Sequence, residues 1–124
     1  MVWHAFDDMV GGEIYVKKIP SMSVVDLARA LAPECKLEFV GIRPGEKLHE
    51  QMIGEEDAHY TFEYPEHYKI LPVINEWSTS PKRIKDGVKV AEGFVYRSDN
   101  NAEWMSASEL MEWVNSNRDF IGKI

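Results

Sequence analysis

Gly41-Ile42-Arg43-Pro44-Gly45-Glu46-Lys47-Leu48-His49-Glu50 is the stretch on which the reading of this chain turns. It overlaps an apolar run, Leu37-Glu38-Phe39-Val40-Gly41-Ile42, that reads as a buried strand ending at Arg43. Pro44 pushes Arg43 toward an extended conformation and fixes its own φ for a turn or a first helical position. Beyond the Pro-Gly pair, Leu48, Met52 and Ile53 lie at helical spacing, so a short helix is expected over residues 45–53. Its N-terminal amides would open beside the Arg43 guanidinium, and the two together suit a phosphate. The alternative is a plain surface ion pair between Arg43 and Glu46.

Working outward, Trp3, Phe6 and Val10 predict an N-terminal helix stopped by Gly11-Gly12. Residues 13–17 alternate around Ile14 and Val16 as a strand, and Ser21-Met22-Ser23 caps a helix carrying Val24, Val25, Leu27, Ala28 and Leu31. With the strand at 37–42 and the helix at 45–53, this predicts a β-α-β-α unit. An acidic turn follows at residues 54–57. Tyr60, Phe62, Tyr64, Tyr68 and Ile70 then alternate around Pro65-Glu66-His67 as a hairpin. Residues 74–88 read as a polar, flexible loop with Trp77 as an anchor. Phe94-Val95-Tyr96 is a last strand, and Ser106 with Glu109 forms a capping box for a helix through Leu110, Trp113 and Val114. The fold class expected is α/β (α+β), a small mixed sheet with packed helices in one domain over 1–124.

The chain has 124 residues, 44% hydrophobic and 28% charged, enough for one core. Fourteen basic against 21 acidic residues leave a net charge of −7, which argues against a nucleic-acid surface. The short clusters Lys17-Lys18 and Lys82-Arg83 read as solvated faces. A lone Cys35 excludes an internal disulfide and has no metal-site spacing around it. No secretion signal and no stretch of eighteen apolar residues is evident, so the expectation is a cytoplasmic protein that does not engage a membrane.

The decisive stretch resembles the GIRPGEKLHE segment of bacterial UDP-N-acetylglucosamine 4,6-dehydratases of the inverting type, enzymes of pseudaminic acid and polysaccharide biosynthesis in the extended short-chain dehydrogenase family. The likeness extends through Gly11 to Val16, Lys18 to Met22, Asp26-Leu27-Ala28, His59-Tyr60-Thr61, and Tyr96 to Asn101 followed by Trp104. It implies the C-terminal, substrate-binding part of such an enzyme, excised or encoded as a fragment, with residues 1–11 the truncated end of a longer helix. It also implies that NADP and the chemistry belong to a preceding Rossmann domain. This chain shows no strand-then-glycine fingerprint and no Tyr-x-x-x-Lys pair, so no cofactor and no catalytic residue is carried over.

By the same resemblance Arg43 pairs with the diphosphate of a UDP-sugar, Glu46 accepts from ribose or uracil donors, and Lys47 adds a point charge. Ser98, Asn100 and Asn101, in a polar run just after a strand, are further substrate-binding candidates; the alternative for them is a turn and helix entry. His49-Glu50 with Glu55, Glu56, Asp57 and His59 offers metal-ligand types at poor spacing, and no metal is expected. His67 lacks an evident carboxylate orienter and reads as structural. Binding by half a cleft should be weak, and an uncovered apolar patch should favour a homodimer. A stand-alone protein-interaction module, or a functionless fragment that keeps the scaffold, remains the alternative.

Overall fold

The structure is a computed structural model and describes residues 1–121. In chain order it contains α1 (Val2–Asp8), β1 (Ile14–Lys17), α2 (Val24–Leu31), β2 (Gln51–Ile53), a 3-10 helix (Glu55–Tyr60), β3 (Thr61–Glu63) and β4 (His67–Ile70). A second 3-10 helix (Ile74–Thr79), α3 (Pro81–Ile84), β5 (Val88–Lys89), β6 (Tyr96–Arg97), α4 (Ala107–Ser116) and α5 (Arg118–Ile121) complete it. The class is α/β, as expected. These elements gather into two compact units, one formed by residues 1–19 and 51–97, the other by residues 20–50 and the described residues from 98 onward.

In the first unit four strands pair antiparallel in the order β1-β4-β3-β5, and β2 pairs antiparallel with β6. The hairpin read from the Tyr/Phe alternation is β3–β4, with Thr61 opposite Ile70 and Glu63 opposite Tyr68. Val16, Ile53, Tyr68, Ile70 and Tyr96 form one apolar core. Phe62, Tyr64 and Leu71 form another, with Ile84 packed on it. Burial of Ile53 alone is worth about 1.5–3 kcal/mol. β4 is covered on both faces, which is why Lys69 in its middle lies only 2% exposed and must find counter-charges.

Asp8 supplies one. Its carboxylate accepts from Lys69 Nζ at 2.5 Å and Tyr15 Oη at 2.7 Å, and from Lys85. Burial alone would raise its pKa, but these three donors outweigh burial and hold it well below the usual range. Glu13 does the same for Arg83, whose guanidinium also donates to Gly11 O at 2.7 Å and lies over the Trp77 ring. This docking of Arg83 and Ile84 explains one correction: residues 74–88, read as an irregular loop, contain a 3-10 helix and α3.

Gly87 is held close beneath the Tyr64 ring, where an added Cβ would lie 2.5 Å from its Cζ and Oη atoms. Tyr64 cannot swing aside cheaply, since its hydroxyl donates to Ile84 O at 2.6 Å and its ring stacks on His67 at 4.6 Å. Gly87→Ala is therefore expected to destabilise the protein by about 1–3 kcal/mol, as overpacked cores do, read as a lowered urea midpoint. An unchanged midpoint would show that the ring yields freely.

The second unit packs α2 against α4. The Ser106–Glu109 capping box is present: Ser106 N donates to Glu109 Oε2 at 2.7 Å and Glu109 N to Ser106 Oγ at 3.3 Å. α2 begins after Ser23 as expected, although without a side-chain cap. Two expectations fail here. Residues 37–42 form no strand: Phe39, Val40 and Ile42 are 83%, 77% and 61% exposed, and Gly41 takes φ +82°, which breaks an extended run. Residues 45–53 form no helix either, because a turn is followed by strand β2, and of Leu48, Met52 and Ile53 only Ile53 is buried. The β-α-β-α unit is therefore not formed.

Candidate functional site

The site is built on the turn Arg43-Pro44-Gly45-Glu46. Glu46 N donates to Arg43 O at 3.1 Å, Pro44 occupies the second position and Gly45 the third with φ +86°, the pattern of a type II turn. The Glu46 side chain folds back on it: Oε2 accepts from Arg43 N at 2.8 Å, and Oε1 stands 3.8 Å from Arg43 Nε. The expected helix N-terminus beside Arg43 is thus replaced by a carboxylate-locked turn, and the guanidinium projects into solvent.

An open cleft of about 600 Å³ adjoins the turn, lined by Gly41, Ile42, Gly45, Glu46, Lys47, Leu48 and Glu50. That volume lies within the usual range for small-molecule sites. Glu46 and Lys47 thus line one cleft, and Arg43 is tied to its wall through Glu46. Lys47 makes no hydrogen bond or ion pair with the described residues and is available to an anion.

The polar run 98–101 splits between two tasks. Ser98 meets Glu50 twice, its N–H donating to Glu50 O at 2.8 Å and its Oγ accepting from Glu50 N at 3.1 Å. Asp99 Oδ2 lies 3.7 Å from His49 Nε2. Asn101 instead ties the scaffold: its Nδ2 donates to Ser21 Oγ at 3.2 Å, its Oδ1 accepts from Glu103 N at 3.1 Å and its carbonyl from Trp104 Nε1 at 2.8 Å. Asn100 sits in the exposed turn between them. Sequence reasoning weighed Glu50 only as a metal ligand and missed its place in the cleft wall.

The first unit holds a separate cavity of about 470 Å³, whose lining includes His4, Asp8, Lys17, Tyr64, His67 and Lys85. His67 is stacked on Tyr64 and stands 5.1 Å from the His4 ring, and its Nε2 has no partner among the described residues. Burial, then the nearby His4 and Lys69 charges, push its pKa below the ordinary 6.5, with Asp8 opposing. The unfolded chain then binds this proton more readily than the folded one. Stability is therefore full above pH 6.5 and falls as the pH drops through the folded pKa of His67. The urea midpoint at about pH 5.5 should lie below that at about pH 7.5, and the difference should shrink in His67→Phe. An equal difference in the variant would assign the proton elsewhere.

Gly11 and Gly12, with φ +132° and +82°, lie at the exit of α1 and ahead of β1. A dinucleotide pyrophosphate needs the reverse, glycines after a strand and before a helix, so these residues do not fit a nicotinamide cofactor. Among the described residues, no group of three or more His, Cys, Asp or Glu is placed to hold a metal ion. No helix among them is long and apolar enough to cross a membrane.

This is a mixed α/β chain with a polar cleft built on an Arg-Pro-Gly-Glu turn. It belongs to the family described as polysaccharide biosynthesis protein, which matches residues 1–72. It is 47% identical over 121 residues to a UDP-N-acetylglucosamine 4,6-dehydratase (inverting) of Campylobacter jejuni, an alignment covering 93% of this chain and 36% of that protein. It is 32% identical over 116 residues to a UDP-glucose 4-epimerase of Rickettsia canadensis, covering 90% of this chain and 34% of that protein. The X-ray structure of Pen from Bacillus thuringiensis superposes with a TM-score of 0.74 at 25% identity, over 94% of this chain and 35% of that one. The chain thus spans about a third of the length of the curated relatives it matches.

Proposed function

We propose that this chain is the UDP-sugar-binding part of a nucleotide-sugar 4,6-dehydratase and is not catalytic by itself. The observation that carries this reading is the locked Arg43–Glu46 turn beside a cleft lined by Glu46 and Lys47. The relatives named above, a dehydratase and an epimerase of UDP-sugars, support the same ligand class. Arg43 and Lys47 take the diphosphate, the first as a planar fork and the second as a point charge. On this reading NADP and the acid/base groups of such an enzyme belong to a part of it other than the described residues. With only one wall of a substrate cleft present, UDP should bind at millimolar affinity at best, on the order of −4 kcal/mol. Trp3 and Phe6 of α1, 81% and 65% exposed, support self-association as part of this reading.

Titration with UDP and with UMP tests the ligand assignment. The diphosphate reading expects UDP to bind more tightly than UMP and the difference to vanish in a Lys47→Ala/Arg43→Ala double variant. Equal affinities, or no binding of either, would overturn it.

A further inference from the structure

The cavity in the first unit gathers side chains that the fold leaves unspent. Lys17 of β1 stands directly opposite His67 of β4, and Tyr15 opposite Lys69, so all four side chains leave the sheet on one face. α1 lies over that face, with Asp8 bound to Tyr15 and Lys69 and the His4 ring 5.1 Å from His67. Three donors already occupy Asp8, the third being Lys85. Lys85 reaches it from a backbone at φ +53° and ψ −117°, a conformation that residues with a side chain rarely adopt. Lys17 makes no hydrogen bond or ion pair with the described residues. His67 is only 6% exposed, and its Nε2 has no partner among them. The charges that weigh most on His67 are His4, Lys69 and Lys18 on the positive side and Asp8 alone on the negative. An acceptor is what this corner lacks.

We propose that this cavity binds the carboxylate group of a small organic acid, held between Lys17 and His67 on the face that α1 covers, with Lys85 as a second ammonium. The site belongs to the first unit alone and does not depend on the nucleotide reading. One carboxylate offers two oxygens, and the Lys17 ammonium and an imidazole N–H answer them as donors. A volume of about 470 Å³ leaves room for several carbons beyond it, against Met1 and Pro65. Glu66 and Asp86 also line the cavity, and they select for a single negative charge. A phosphate dianion beside two further carboxylates is disfavoured by like-charge repulsion.

Amide NMR of the labelled whole chain tests this with propionate and, separately, inorganic phosphate, the ionic strength held constant with sodium chloride. Propionate is expected to move the signals of residues 17, 67 and 85 with saturation in the millimolar range, and phosphate to bind there at least about threefold more weakly. Lys17→Ala should weaken propionate by about tenfold, the value of one charge-assisted hydrogen bond, while Lys47→Ala in the second unit leaves it unchanged. Imidazole spectra should show saturating propionate raising the pH at which His67 titrates, since an adjacent negative charge favours the protonated ring. Lys17 is exposed, and the spectra report whether its variant is folded. Shifts that grow linearly without saturation mark an adventitious ion only and overturn the proposal. So do an equal response in Lys17→Ala, equal or tighter binding of phosphate, or a His67 titration that propionate leaves in place.

Discussion

Asp8→Ala is expected to lower the unfolding free energy by about 3 kcal/mol or more, because it strands a charge inside the sheet. Lys69 Nζ has Asp8 at 2.5 Å and Arg83 O at 3.0 Å, with the Tyr64 and Tyr15 rings at 4.8 and 5.4 Å. Removing the carboxylate leaves the ammonium one carbonyl and two aromatic faces, which do not replace its lost hydration. The same change detaches α1, which buries none of its residues and is held to the sheet chiefly through Asp8 and the His4–His67 contact. A urea titration read by circular dichroism would show a lowered midpoint. Adding Lys69→Met should recover much of the loss, since an apolar pair in place of a buried ion pair is often neutral. If the single variant costs less than about 1 kcal/mol, Lys69 is being solvated by another route. The depressed pKa of Asp8 carries a second sign: its contribution is complete above pH 3.8 and is lost as the pH falls below it.

The second large effect falls on binding rather than stability. Arg43→Ala should weaken UDP by about tenfold or more, the value of a charge-assisted hydrogen bond, while shifting the unfolding free energy by no more than about 0.5 kcal/mol. The exposure of the guanidinium decides the second part, since nothing in a core depends on it. Arg43→Lys should recover the charge but not the paired geometry of the fork, and so only part of the affinity. Equal loss in both variants would place the weight on geometry. Full recovery by lysine would leave only a point charge.

What was legible in the sequence was local. Ser106 and Glu109 need only each other and three intervening residues to define a helix start, and the hairpin of β3 and β4 needs only its alternation and Pro65. The Pro-Gly pair was equally explicit as a turn, and it delivered Arg43, Glu46 and Lys47 to one place. The failures were matters of partnership. Phe39, Val40 and Ile42 have the composition of a strand, but a strand exists only where a neighbour offers its ladder, and Gly41 turns the chain out of register first. Leu48, Met52 and Ile53 fit a helical period by spacing alone, whereas the pairing of Ile53 with Tyr96 makes that segment a strand. The placements of Glu50, Ser98 and Asn101 depend on contacts some fifty or eighty residues away in the chain, which no spacing rule reaches.

Amide NMR of the labelled chain at millimolar UDP is the decisive experiment for the proposed nucleoside-diphosphate site at the Arg43 turn and its cleft. Concentration-dependent shifts centred on residues 41–50 and on Ser98, strongly reduced in Arg43→Ala, are expected. A well-dispersed spectrum that does not move with UDP, or one that moves equally in the variant, would contradict that assignment.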